Sequence, residues 1–179
     1  MTTSNNFGYL VEFDNVDDLI AGAERVRDAG YTRWDAHTPF VVHGLDRAMG
    51  IKPTRLPFLV LGGGAVGLAG GVGLQWWTNA VNYPFLISGK PLFSLPANIP
   101  VAFETTILVA AIMALVGMLG LNRLPQLYHP LFNSSRFRKA TDDRFFISIE
   151  AVDPNFDAEM TRELLEGLDG MLTLEEVQS

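Results

Sequence analysis

Apolar and polar positions follow three patterns along this chain, and each predicts a different element. From Phe7 to Phe13 (FGYLVEF), aromatic and aliphatic residues crowd together as in a strand. Asp14 or Asn15 can then cap a helix, with Asp17 and Asp18 in its positive first turn. Val16, Leu19, Ile20, Ala23 and Val26 recur at helical spacing and give that helix one apolar face. Gly30 is placed to end it in the left-handed region, and Tyr31 to Ala36 reads as a second strand. Leu45 to Met49 predicts a short helix. The order then returns near the other end. Phe145, Ile147, Ile149 and Ala151 alternate with Phe146, Ser148 and Glu150, a strand with one strongly apolar face. Phe156, Met160, Leu164, Leu165 and Leu168 mark a helix face, Gly167 and Gly170 end it, and Leu172 to Val177 forms a last strand.

The third pattern is apolar without interruption. Leu56 to Trp77 holds no charged residue, and Ile99 to Leu121 holds only Glu104. Roughly 20 residues of helix cross a hydrocarbon core of about 30 Å. A soluble helix rarely stays apolar on all faces for so long. The expected fold is therefore an α+β membrane protein. A two-helix transmembrane hairpin is inserted between the two βαβ halves of a ferredoxin-like domain. Residues 1–52 form the first half and a connector. Residues 53–122 form the hairpin, with spans at about 56–77 and 99–121 and an outer loop at 78–98. Residues 123–179 form a return loop and the second half. The return loop, Leu124 to Ala140, reads as irregular, its basic residues directed at anionic lipid or a partner subunit.

Lys and Arg orient the hairpin. Lys52 and Arg55 precede the first span, and Arg123, Arg136, Arg138, Lys139 and Arg144 follow the second. The intervening loop has only Lys90, so both termini are expected in the cytoplasm. Trp76, Trp77 and Tyr83 then anchor the outer interface. Pro84, Pro91 and Pro96 stiffen the loop, and Pro100 falls in the tolerant first turn of the second helix. The polar start, MTTSNNFG, lacks a signal-peptide core, so the first span is expected to serve as the insertion signal.

Composition narrows the function. Of 179 residues, 48% are hydrophobic, and removing the hairpin leaves roughly 110, enough for one small domain. A formal net charge of −7 argues against a nucleic-acid partner. Without cysteine there is no disulfide, no thiolate-held iron–sulfur cluster and no c-type haem attachment.

Candidate chemistry is sparse. Gly62, Gly64 and Gly67 match G-x-G-x-x-G, but no strand precedes them and no acid follows about 20 residues on, so dinucleotide binding is not indicated. Gly63, Gly67 and Gly71, four residues apart, instead form one small-residue packing face, for the second span or for another subunit. Glu104 is the one ionisable residue within the spans, which raises a proton-path role. The plainer reading is a helix-end acid favoured by the dipole and bonded to Gln75, a Trp76 or Trp77 indole, or water. His37, His43 and His129 show no metal-ligand spacing, and no nucleophile elbow or phosphate loop is present. No catalytic, cofactor-binding or metal residue is assigned. Asn133-Ser134-Ser135 is a sequon on the expected cytoplasmic side and is set aside.

Several long blocks nevertheless belong together: GYTRWDAHTPFVVHGLDRAMGI (Gly30 to Ile51), Leu56-Pro57, QWWTNAVNYPFLISGKPLFSLPANIPVAFE (Gln75 to Glu104), LPQLYHPLFN (Leu124 to Asn133) and TDDRFFISIE (Thr141 to Glu150). In these blocks the chain resembles ActD, a membrane subunit of bacterial alternative complex III, which is a quinol:cytochrome c oxidoreductase. The resemblance implies an accessory subunit of a respiratory or photosynthetic electron-transfer complex in the bacterial inner membrane, with a structural and assembly role. It implies c-type haems, iron–sulfur clusters and quinol in partner subunits and none here. The expected partners are the other subunits, polytopic ones included, and the bilayer. The competing reading is a membrane-anchored ferredoxin-like module that binds a regulatory ligand.

Overall fold

A computed structural model describes residues 6–179, which fold as two compact units. One combines residues up to Lys52 with Leu127–Ser179, and the other is Pro53–Gln126. Residues 1–5, the head of the polar stretch expected to lack a signal-peptide core, lie outside the described residues. In chain order the elements are β1 (Asn6–Phe13), α1 (Val16–Asp28), β2 (Trp34–His37), α2 (Leu45–Ala48), α3 (Leu56–Trp76), α4 (Leu95–Leu121), β3 (Phe145–Glu150), α5 (Ala158–Glu166) and β4 (Met171–Gln178).

The first unit is a mixed α/β fold on a four-stranded sheet of order β2-β3-β1-β4. Every neighbouring pair is antiparallel, with Val11 opposite both Ile147 and Leu174. α1 starts where Asn15 accepts a hydrogen bond from the Asp18 amide, and it ends at Gly30, whose φ of 85° suits glycine. Its buried Leu19, Ala23 and Val26 cover Val11, Phe13, Ile147 and Ile149 on one sheet face. Each such large apolar side chain contributes about 1.5–3 kcal/mol by leaving water.

Three local expectations change. β3 was expected to have one apolar face, yet Phe146 and Ser148 are as buried as Ile147. The reason is the return segment, expected to be irregular with its basic residues facing anionic lipid or a partner subunit. It forms 3-10 turns at Pro130–Asn133 and Phe137–Thr141. Leu131, Ala140 and Phe137 pack on Leu10, Phe146 and Val177, covering the second sheet face. β2 begins at Trp34 rather than Tyr31, because the Thr32 and Arg33 amides bond to Asp153 instead of a strand. On α5 the inward residue is Thr161, fully buried, whereas Met160 is 69% exposed. Thr161, Leu165 and Leu168 form the i, i+4, i+7 stripe that reaches the core, and Met160 sits one position off it.

The second unit is the helical hairpin. At 1.5 Å per residue, the 21 residues of α3 and 27 of α4 give about 31 and 40 Å, each enough to span. A core helix of a soluble protein would be mostly buried. Here only 17% and 6% of the most apolar windows are. A π-helical stretch, Trp77–Asn82, prolongs α3 into the expected loop. α4 likewise starts at Leu95 rather than Ile99. Pro96 takes the first-turn place, and Pro100 lies inside the helix, where it cannot donate to the Pro96 carbonyl.

Candidate functional site at the hairpin seam

The seam between α3 and α4 is built on absent side chains. Gly63, Gly67 and Gly71 are the buried residues of α3. A Cβ added at Gly67 would stand 2.5 Å from the Thr105 carbonyl oxygen, and one at Gly63 or Gly71 would collide with Met113 or with Thr105. Gly117 takes the same role on α4, receiving Leu56 and Leu59. Gly62, Gly70 and Gly73 meet nothing within 4 Å and Gly64 only ordinary contacts with Thr106 and Ala110, so the close approach belongs to the stripe at four-residue spacing. The small-residue face therefore meets the second span of the same chain. Thr105 and Thr106 turn their hydroxyls onto their own helix, at 2.9 Å to the Val101 carbonyl and 2.6 Å to the Ala102 carbonyl. The Thr105 hydroxyl, held to its own helix in this way, still lies against Gly71, where only a glycine leaves room for it.

Polar side chains collect at the loop end of the hairpin. Gln75 Nε2 donates to the Gly71 carbonyl at 3.1 Å and crosses to the Asn98 carbonyl at 3.3 Å. Glu104 does not join it. Nine residues into a helix that starts at Leu95, it lies about 13 Å from the helix start. The dipole acts within the first turn, so it does not stabilise this acid. Glu104 is exposed and, among the described residues, makes no hydrogen bond or ion pair. Trp76, Trp77 and Tyr83 are at least half exposed at the same end.

The sheet unit carries polar ties that spacing did not reveal. Asp153, read as a turn residue, is 5% exposed and accepts hydrogen bonds from the Thr32, Arg33 and Asn155 amides at 2.6, 2.5 and 2.7 Å. Burial pushes its pKa up, but these bonds together with the Thr32 hydroxyl outweigh that and hold the carboxyl below its usual value. It thereby joins the two sequence-distant halves. Thr161, equally unforeseen, pairs with the Tyr31 hydroxyl at 2.8 Å. Buried Glu12 accepts from Arg136 at 3.1 Å and faces Arg144, which also binds Asp14. Arg136, one of the return-loop basic residues expected to face lipid or a partner, thus turns onto the sheet. The His37 ring bonds to the Ser148 hydroxyl at 3.0 Å and meets Phe137 edge-on. Burial lowers its pKa, Asp35 opposes and His129 adds, and the net shift is downward. His129 shapes a turn by accepting the Leu131 amide, and its ring packs against Phe7. Among the described residues no three metal-ligating side chains converge.

Two outward-apolar helices of spanning length, carried by a split α/β unit, define a membrane-located α/β protein. The alternative complex III ActD subunit family matches residues 7–173, nearly the whole chain, and the chain belongs to that family. It is a subunit of alternative complex III. A comparison with curated proteins returns no match.

Proposed function

We propose that the chain is a non-catalytic structural subunit of its quinol:electron-acceptor oxidoreductase, one that seats its hairpin against polytopic partner subunits. Quinol, c-type haems and iron–sulfur clusters then reside in those partners. The split domain lies on the cytoplasmic side in a ferredoxin-like arrangement, with both termini there and the Trp76, Trp77 and Tyr83 end outside. Strand order β2-β3-β1-β4 with antiparallel neighbours supports the ferredoxin-like reading. The Lys and Arg distribution supports the orientation.

One observation carries the structural role. The seam uses the glycine stripe internally, so the outward surface is made of large apolar side chains. Phe58, Leu61, Val66, Leu74, Phe103 and Leu108 are all more than half exposed. Such a surface needs lipid and partner helices to cover it. A minor part in proton movement rests on Glu104, the acid without a partner in the hairpin.

The test is to draw the tagged chain from native membranes in mild detergent and assay haem, iron and quinol oxidation in what accompanies it. Co-purification of all three is expected. A chain that emerges alone and colourless overturns the proposal. A ligand-dependent thermal shift of that solitary chain would then establish the regulatory-module reading.

A further inference from the structure

The stretch joining the two spanning helices forms an open-mouthed pocket of about 310 Å³, lined by Asn79, Tyr83, Lys90, Ser94 and Asn98 among others. At about 30 Å³ per water, that is room for roughly ten waters, too much for a packing fault. Its polar wall is rich in donors. Asn98 is 8% exposed, and its side-chain Nδ2 has no hydrogen-bond partner. A buried amide N–H left unpaired is costly, so an acceptor brought to it is favoured. Lys90 is the only charged residue from Thr78 to Asn98. Among the described residues it forms no ion pair. Tyr83 and Phe85 supply stacked rings with centroids 6.0 Å apart.

An apolar groove of about 350 Å³ continues along the same helices, lined by Leu68, Val72, Ile99 and Phe103 among others. Leu68 and Val72, one turn apart on α3, line the groove, and Asn79 in its π-helical continuation lines the pocket. On the second helix, Asn98 belongs to the pocket and its neighbour Ile99 to the groove. A donor-lined pocket with one cation thus stands at the loop end of a greasy channel. That is the chemistry of a molecule with an anionic oxygen-rich head and a hydrocarbon tail. A free phosphate would fill the pocket and have no use for the groove.

We propose that the pocket binds the phosphodiester of an anionic phospholipid, with one acyl chain lying in the groove between Leu68 and Phe103. Lys90 opposes the phosphate charge, and the Asn98 amide and Ser94 hydroxyl donate to its oxygens. The proposal rests on the hairpin crossing a membrane and not on its place in the complex.

The test uses the full chain in its native assembly, reconstituted in phosphatidylcholine nanodiscs. These are doped with a phosphatidylglycerol carrying a photoreactive diazirine at the glycerol end, and labelled peptides are mapped. Labelling is expected to concentrate between Thr78 and Asn98. It should fall about fivefold for Lys90→Gln, the loss of one interfacial charge, and fall also for Asn98→Leu. Phosphatidylcholine bearing the same diazirine should label no better than the Lys90→Gln protein does with phosphatidylglycerol, because its quaternary ammonium offsets the phosphate charge and is repelled by Lys90. Equal labelling by the neutral lipid, or indifference to Lys90→Gln, overturns the proposal. Competition by millimolar inorganic phosphate overturns it too, in favour of a free-anion site. A second lipid with its diazirine at mid-chain separates the premises. Labelling of Leu68, Ile99 or Phe103 without labelling of the pocket removes the site and leaves the spanning hairpin intact. No labelling by either probe removes the spanning hairpin itself.

Discussion

In α1, Leu19, Ala23 and Val26 are fully buried, while Asp17 and Glu24 face out. In α3 the buried residues are three glycines, and Leu61 and Val66 face out. The two units therefore bury their surfaces by opposite rules. The sheet unit expels water from large apolar side chains and caps α1 and α5 with Asn15 and Asp157. The hairpin gains nothing from hiding leucine, since lipid is as apolar as a protein core. It gains from backbones that approach closely. The N-cap residues of α3 and α4, Arg55 and Ser94, make no capping side-chain bond, the Thr54 hydroxyl alone accepting the Leu56 amide, and among the described residues no ion pair lies in the hairpin. Polarity in the sheet unit is instead spent on ties between segments more than 100 residues apart in sequence, such as Asp153 to Thr32.

Breaking this contrast should have its largest effect at Asp153. Asp153→Ala leaves the Thr32, Arg33 and Asn155 amides without their acceptor in a buried place. It is expected to cost the sheet unit about 3 kcal/mol, read as earlier proteolysis of that unit while the hairpin stays membrane-bound. An unchanged protease profile would show that the tie is redundant. Next comes Gly67→Leu, which drives a side chain into the Thr105 backbone. Overpacking of this kind costs about 1–3 kcal/mol, so assembled complex on a native gel should fall roughly tenfold. Gly70→Leu, which meets nothing of its own chain within 4 Å, should leave the α3–α4 seam intact and reduce assembly less than Gly67→Leu does. Equal behaviour of the two would mean that the seam does not hold the hairpin.

Acid should act on the sheet unit through two groups, smaller in effect than either substitution. His37 is held below its ordinary value, so the fold favours its neutral form. Its contribution is complete above the unfolded value of about 6.5 and is lost as pH falls from there toward the folded value. Asp153 is also held low, and its contribution is lost as pH falls below about 3.9 through the folded value. Unfolding of the sheet unit followed against pH should show both limbs. His37→Gln should remove the first and spare the second. A His37→Gln profile identical to the parent's would rule the imidazole out. The smallest expected effect is at Glu104. With no bond in the hairpin to lose, Glu104→Gln should not destabilise it beyond about 0.5 kcal/mol in a thermal melt. A fall in proton coupling with quinol turnover intact would place Glu104 on a proton path. Loss of a neighbouring subunit would place it at an interface.

Much of this architecture is local and therefore readable from the chain alone. A charge-free run either is long enough to span or is not, and strand and helix periods near 2 and 3.6 repeat within a few residues. Leu56–Trp76, β1, α1 and β3 accordingly fall close to where the pattern of apolar positions puts them. The positions that read differently answer to distant partners. Spacing marks Gly63, Gly67 and Gly71 as one face, but it carries no information about which helix fills that face. Thr105 and Met113 do, from the same chain. Phe146 and Ser148 alternate as an outward face should, and they become core only because Leu131, Phe137 and Ala140 come back to cover them. Asp153 looks like any turn acid until the α1–β2 connection brings two amides to it. Local order followed from side-chain period and length, which each segment carries by itself. The partner of each surface and of each buried polar group was settled only by tertiary packing, because a hydrogen bond or a close contact needs two groups that the sequence holds far apart.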